Sequence, residues 1–86
     1  MDKNKDVTAM QELVGEVNAG CTIIAQHFNP AVPYEAIVLA YKKTERGAEY
    51  VDWLAVWDDS YKMPSYYYGH YFDSFESASK HFNERK

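Results

Sequence analysis

The sequence is short of residues that cross-link or interrupt a chain: of 86 residues, one is cysteine, three are proline and four are glycine. A single cysteine excludes a disulfide within the chain. Cys21 follows a predicted helix, where the helix dipole disfavours a reactive thiolate, so we expect it to be buried and inert. No apolar run approaches the ~20 residues that cross a bilayer, so we expect no membrane insertion and a cytoplasmic location.

Positive charge is also scarce. Nine Lys and Arg residues stand against 13 Asp and Glu residues, which gives a formal net charge of −4. A protein that coats a phosphate backbone needs the opposite balance, so the composition disfavours nucleic acid as a partner. One acidic segment without an intervening Lys or Arg would suit a partner with a basic patch; it contains Glu49, Asp52, Asp58 and Asp59.

The chain lacks the motifs that usually carry catalysis or bind a metal. His27, His70 and His81 fall on three separate predicted elements, and the closely spaced Cys/His pairs of structural zinc sites do not occur. Glu49 and Asp52 point to opposite faces of a regular strand, so we interpret them as solvated edge charges rather than an acid/base pair. We therefore expect no metal, no cofactor and no enzymatic activity.

Aromatic rings, in contrast, are abundant. Residues 66–72 place six aromatic or imidazole rings in seven positions, a composition that suits a half-buried strand. Asp73 and Glu76 then fit a capping box, which predicts a helix over about residues 74–84. Inside the aromatic run, we expect Gly69 to mark a bulge or to leave room for a large ring on the neighbouring strand.

Hydrophobic periodicity predicts the remaining elements. Apolar residues at three- and four-residue steps predict a helix over about residues 7–18, with Thr8 and Gln11 as a capping pair and Gly20 after its end. Alternating or β-branched runs predict strands over residues 21–28, 35–43, 49–57 and 66–72, with a hairpin at 44–47.

These elements predict one domain, residues 1–86, of the α+β class. We expect an antiparallel sheet of three to four strands flanked by an N-terminal and a C-terminal helix, in the order α-β-β-β-β-α, with both helices on one face. The predicted core consists of Leu39, Trp53, Trp57 and Phe82.

The aromatic rings outnumber what two helices over a small sheet can bury, so some of them are expected on the surface, where tyrosine is enriched at protein interfaces. The predicted contact residues are Tyr50, Asp52, Tyr61, Tyr66, Tyr68 and His70. They favour a small, non-enzymatic protein-binding domain that contacts a protein partner or a second copy through an aromatic, partly acidic sheet face. The alternative is a module that binds single-stranded nucleic acid by aromatic stacking.

Residues 69–72, Gly-His-Tyr-Phe, are followed by Ala78 and Phe82 and preceded by Tyr-Val-Asp-Trp at 50–53. This C-terminal half resembles short uncharacterised proteins encoded by Gram-positive phages and mobile elements. The resemblance implies an accessory or inhibitor protein that acts by binding a host protein. It assigns no activity and no functional residue.

Overall fold

The computed structural model describes residues 9–85 and shows an α+β fold with five strands and one helix in this range. The elements are β1 (Val17–Asn18), β2 (Cys21–Phe28), β3 (Glu35–Thr44), β4 (Gly47–Asp58), β5 (Met63–Phe72) and α1 (Phe75–Arg85). All paired strands are antiparallel, and their order in the sheet is β1-β2-β3-β4-β5. The predicted α+β class and antiparallel sheet are confirmed, but five strands replace the three to four expected.

The strands form where the sequence alternates or is rich in β-branched residues. β2 matches the predicted strand, while β3, β4 and β5 extend the predicted ones by one to three residues at some of their ends. The predicted hairpin at 44–47 is confirmed, because Thr44 pairs with Gly47 across a two-residue turn. Sheet propensity and turn chemistry agree in this part of the chain, so local sequence determines its structure.

The predicted N-terminal helix is wrong for residues 9–18; residues 7 and 8, including Thr8, lie outside the described range. Gly15 has a φ of 99°, which no α-helix contains, and Val17 already belongs to β1. Ala19 and Gly20 have φ values of 54° and 79° and connect β1 to β2. Two successive positive φ values are typical of a tight hairpin turn, so Gly20 serves a hairpin rather than a helix end.

Residues 9–16, the N-terminal segment, pack on the sheet without a helix of their own. Met10 and Leu13 are buried, with 5% and 3% of their surfaces exposed. The Gln26 side chain holds the segment in place: its Oε1 accepts a hydrogen bond from Leu13 N at 2.7 Å, and its Nε2 donates to Gln11 O at 3.0 Å. One strand side chain thus satisfies backbone groups that a helix would have satisfied internally.

The sheet is apolar on both faces, and different parts of the chain cover them. On one face, the helix face, Leu39 packs with Ala78 and Phe82 of α1. On the opposite face, the N-terminal segment packs over a larger cluster that contains Ile23, Val38, Val51, Trp53 and Ala55, with Trp57 and Tyr66 at its border. The prediction that both helices share one face is therefore wrong. The four predicted core residues also belong to two separate clusters.

The start of α1 is fixed by Ser74 rather than by the predicted Asp73. The Ser74 hydroxyl accepts a hydrogen bond from Ser77 N at 3.1 Å, and the Ser74 carbonyl accepts one from Ala78 N at the same distance. This is the geometry of an N-cap residue. The cap places Ala78 and Phe82 over the sheet and brings the last turn of the helix above the middle of β4.

Candidate functional site

Asp52 lies in the middle of β4 and is completely buried, with 0% of its surface exposed. The interpretation of Asp52 as a solvated edge charge is therefore wrong, and this residue cannot contact a partner directly. Its side chain points to the helix face, because Val51 and Trp53 on either side of it belong to the opposite cluster. A buried carboxylate is costly unless charged or polar groups compensate it.

Three side chains from two other elements surround this carboxylate. His81 and Arg85 are four residues apart on α1 and therefore lie on the same side of the helix, facing β4. His70 is the direct cross-strand neighbour of Asp52 on β5. We call these four residues, Asp52, His70, His81 and Arg85, the Asp52 cluster.

The distances show a tightly bonded group. His81 Nδ1 lies 2.5 Å from Asp52 Oδ2, and Arg85 Nη1 donates to Asp52 Oδ1 at 2.5 Å and to the Asp52 carbonyl at 3.1 Å. Arg85 Nη1 also lies 3.3 Å from His70 Nδ1, and the two imidazole ring centroids are 4.6 Å apart. The Asp52 carboxylate thus receives donors on both oxygens, as a buried anion requires.

The Asp52 cluster orients two imidazoles at a partly open surface. The side chains of His70 and His81 are 53% and 36% exposed, while that of Arg85 is 14% exposed. A carboxylate that fixes one ring nitrogen of a histidine leaves the other nitrogen free for proton transfer. Asp52, His70 and His81 also present three potential ligand atoms within 4.8 Å of one another. Proton transfer and cation binding are the two chemistries that this geometry allows.

Sequence reasoning missed the Asp52 cluster because its members come from three elements. The three histidines do lie on separate elements, as predicted, but strand register and helix placement bring His70 and His81 together. His27 stays apart from them, stacked on Phe82 with a centroid distance of 4.2 Å. The available signals were an isolated Asp in the middle of an apolar strand and the four-residue spacing of His81 and Arg85.

A groove of about 700 Å³ lies beside the Asp52 cluster on the helix face. Arg85 and Leu54 line it near the cluster, and His27 and Ile37 continue it along the sheet. The loop after β2 closes its far end with Asn29.

The predicted contact tyrosines divide into two groups. Tyr50 and Tyr66 are half-buried; Tyr66 packs on Trp53 with ring centroids 5.3 Å apart, and Tyr50 packs on Phe75. Tyr61 and Tyr68 are exposed, at 74% and 72%. Tyr61 belongs to the turn between β4 and β5, so the structure does not gather the six predicted contact residues on one sheet face.

Two exposed rings that sequence reasoning left out of the contact set are Tyr67 and Tyr71 on β5. They are 48% and 56% exposed and lie on the same strand as Tyr68. Tyr67 pairs across the sheet with Leu54, and Tyr71 pairs with Val51, so their rings emerge on opposite faces. The exposed rings of β5 therefore lie along this edge of the sheet, on both of its sides, rather than on a single face.

The middle of β5 contains an irregularity where the register shifts opposite Trp53. Tyr68 takes a φ of 56°, and Gly69 lies so close to Trp53 that a Cβ at Gly69 would be 2.8 Å from Trp53 Nε1. Both expectations for Gly69, a bulge and room for a large cross-strand ring, are confirmed. The bulge also turns the Tyr68 side chain out into solvent.

The acidic segment does not form one patch. Glu49 forms an ion pair with Lys42 at 3.8 Å, and Asp52 is buried on the other face. Asp58 Oδ1 accepts hydrogen bonds from the Ser60 and Tyr61 amides and so stabilises the turn before β5. These carboxylates have separate local roles, and the sheet face is less acidic than the sequence suggested.

Cys21 and Tyr66 have shifted acidities. Burial raises the pKa of the Cys21 thiol, and among the nearby charges Lys42 lowers it while Glu49 raises it. The thiol is 2% exposed and lies 3.9 Å from the Ala19 carbonyl, which agrees with the expected buried cysteine. Burial also raises the pKa of the Tyr66 phenol, and the negative charge of Glu16 acts in the same direction.

Comparison of the chain with protein-family models, curated proteins and solved structures finds no match. The resemblance to proteins of phages and mobile elements therefore remains a prediction. Within residues 9–85, no helix has the length and apolar character needed to span a membrane.

Proposed function

We propose that the chain is a protein-binding domain that pairs with an extended segment of a partner protein along the outer edge of β5. The proposal rests on one observation: β5 is a long edge strand without charged side chains. β5 is ten residues long, stands last in the sheet order, and has no strand on its outer side within the described residues. It also contains no Lys, Arg, Asp or Glu.

An edge strand without charged side chains is unusual, because natural proteins place charges there to prevent pairing with other chains. The β5 edge has weaker protection: Pro64 near its start and the bulge at Tyr68. An extended partner segment would gain backbone hydrogen bonds along the strand. The rings of Tyr67 and Tyr71 would flank that segment on the two faces, in the environment where tyrosine contributes most to binding.

The alternative function, stacking of single-stranded nucleic acid, has less support. It requires a basic groove beside the rings. Lys42 is held in an ion pair with Glu49, and it lies on β3, which is separated from β5 by β4. Lys42 and the exposed rings of β5 therefore do not form one surface.

The test uses one charged double variant and a matched control. Tyr67→Lys with Tyr71→Lys places two charges on the β5 edge, whereas Tyr61→Lys makes the same change at an exposed tyrosine in the preceding turn. Tagged wild-type protein and both variants, with folding checked by circular dichroism, would be used to capture proteins from a bacterial extract. We expect the edge variant to lose a specific partner that the wild type and Tyr61→Lys retain.

Analytical ultracentrifugation of the same proteins shows whether the β5 edge pairs with a second copy of the chain or with a different protein. A concentration-dependent dimer that only the edge variant lacks would mean that the partner is a second copy. Equal capture by all three proteins, together with a monomer at every concentration, would contradict the proposal. Oligonucleotide binding that weakens steeply between low and moderate salt would favour the alternative function.

A further inference from the structure

We propose that Asp52, His70 and His81 form a binding site for a divalent transition metal of the zinc class, in competition with Arg85. This inference does not depend on the β5 edge. The donor atoms are two imidazole nitrogens and a carboxylate oxygen, a set that suits Zn²⁺, Co²⁺ and Ni²⁺. Three protein ligands that leave a position open to water are a common arrangement for zinc outside purely structural sites.

The distances between the ligand atoms fit such an ion after small side-chain movements. Metal–ligand bonds of 2.0–2.2 Å place tetrahedral ligand atoms about 3.4 Å apart. His70 Nδ1 lies 3.6 Å from Asp52 Oδ1, and His81 Nδ1 lies 2.5 Å from Asp52 Oδ2. The carboxylate is fixed by complete burial, so the required movements would be made by the two imidazoles, which are partly exposed. The open side of the two rings gives the ion a path from solvent.

Hydrogen bonding favours the required state of His70. Arg85 Nη1 can only donate, so its 3.3 Å contact with His70 Nδ1 is a hydrogen bond when the ring proton resides on Nε2. In that tautomer the Nδ1 lone pair is directed into the Asp52 cluster. His81 Nδ1 donates to the carboxylate, so metal binding requires the proton on this nitrogen to be lost or the Nε2-protonated tautomer to form.

Arg85 occupies the position that the ion would take. Its Nη1 contacts both Asp52 Oδ1 and His70 Nδ1, and these two atoms belong to two of the three proposed metal ligands. A buried carboxylate needs a positive neighbour, and either the guanidinium or the metal ion can supply it. Metal binding is therefore an exchange of counter-ions, in which the long Arg85 side chain in the last turn of α1 turns outward.

If the ion and Arg85 exchange in this way, removal of Arg85 should increase metal affinity, which is not expected of a polar network that binds no metal. Substitution Arg85→Met removes the competitor, so Zn²⁺ affinity, measured by calorimetric titration of the full chain, should rise by about tenfold or more. His70→Gln removes a ligand whose side chain is half-exposed, and affinity should fall by about tenfold or more. His27→Gln is the matched control, since His27 bonds Asn83 outside the Asp52 cluster, and should leave affinity unchanged.

Thermal melting gives a second readout. Arg85→Met leaves Asp52 without its main counter-ion, so Zn²⁺ should raise the melting temperature of this variant more than that of the wild type. The same stabilisation should disappear when His70→Gln is added. The proposal is overturned if neither the wild type nor Arg85→Met binds Zn²⁺ or Co²⁺, or if His27→Gln reduces affinity as much as His70→Gln.

Discussion

At the scale of single residues, Trp53 is the buried aromatic ring of the cluster on the opposite face. It is 5% exposed, contacts the Tyr66 ring and lies against the backbone of Gly69. Trp53→Ala removes a large buried ring and leaves a cavity, so we expect the free energy of unfolding in urea to fall by about 3–5 kcal/mol. Tyr61→Ala, at an exposed position, should change it little. If Trp53→Ala melts together with wild type, the opposite face does not depend on this ring.

Tyr66 gives the protein a dependence on alkaline pH. Its phenol keeps its proton longer in the folded state than in the unfolded chain, where tyrosine ionises near pH 10. The contribution of this phenol to the free energy of unfolding is complete below about pH 10. It is lost as the pH rises through the raised pKa of the folded state, since the unfolded chain then binds fewer protons than the folded chain. Tyr66→Phe keeps the ring and removes this ionisation.

We therefore expect the free energy of unfolding, measured in urea between neutral pH and pH 11, to fall less steeply above about pH 10 in Tyr66→Phe than in wild type. Tyr61→Phe, which removes a phenol hydroxyl from an exposed ring, is the control. Identical slopes for wild type and Tyr66→Phe would show that the Tyr66 hydroxyl is effectively solvated.

At the scale of elements, the stability of α1 depends on the N-cap hydrogen bond that Ser74 accepts from Ser77. Ser74→Ala removes the oxygen that accepts the Ser77 amide, and we expect a loss of about 1 kcal/mol of stability in urea unfolding. Asp73→Ala tests the cap that the sequence suggested and should cost less, since only a favourable charge near the helix N-terminus is lost. A larger effect at Asp73 than at Ser74 would contradict the observed cap.

The strands could be predicted from sequence because their signals are local. β2 to β5 alternate in polarity or carry β-branched and aromatic residues, and turns with suitable residues separate them. The structure of the N-terminal segment could not be predicted from local sequence signals. Met10 and Leu13 do face the core, but backbone dihedrals at Gly15 and Gly20 reverse the chain, and three-residue spacing cannot show this.

The Asp52 cluster could not be predicted because its geometry is tertiary. Asp52 and His70 meet only through the register of β4 with β5, and the bulge beside Trp53 sets that register. His81 and Arg85 meet Asp52 only after α1 has docked on the sheet. Residue spacing predicts pairs within a helix, but not which strand position lies beneath them.

At the scale of the whole molecule, the cover over the sheet is incomplete. α1 has 11 residues and is ~16 Å long, whereas β4 has 12 residues and is ~40 Å long. A large part of the helix face therefore remains open to solvent, and the groove near Ile37 and Leu54 lies there. In the part of the chain that the structure describes, this short helix also leaves the outer edge of β5 without a neighbouring strand. The partly covered sheet and the free edge together offer more contact surface than a sheet fully covered by helices.

The strand order of the sheet matches the order of the strands in the chain, and this has a consequence for folding kinetics. Each pairing closes a short loop between consecutive strands, so the sheet can form by successive local steps. Docking of α1 is different, because it joins Asp52 to Arg85 across 33 residues and His27 to Asn83 across 56. We expect helix docking to follow sheet formation, because its contacts close longer loops than the strand pairings do.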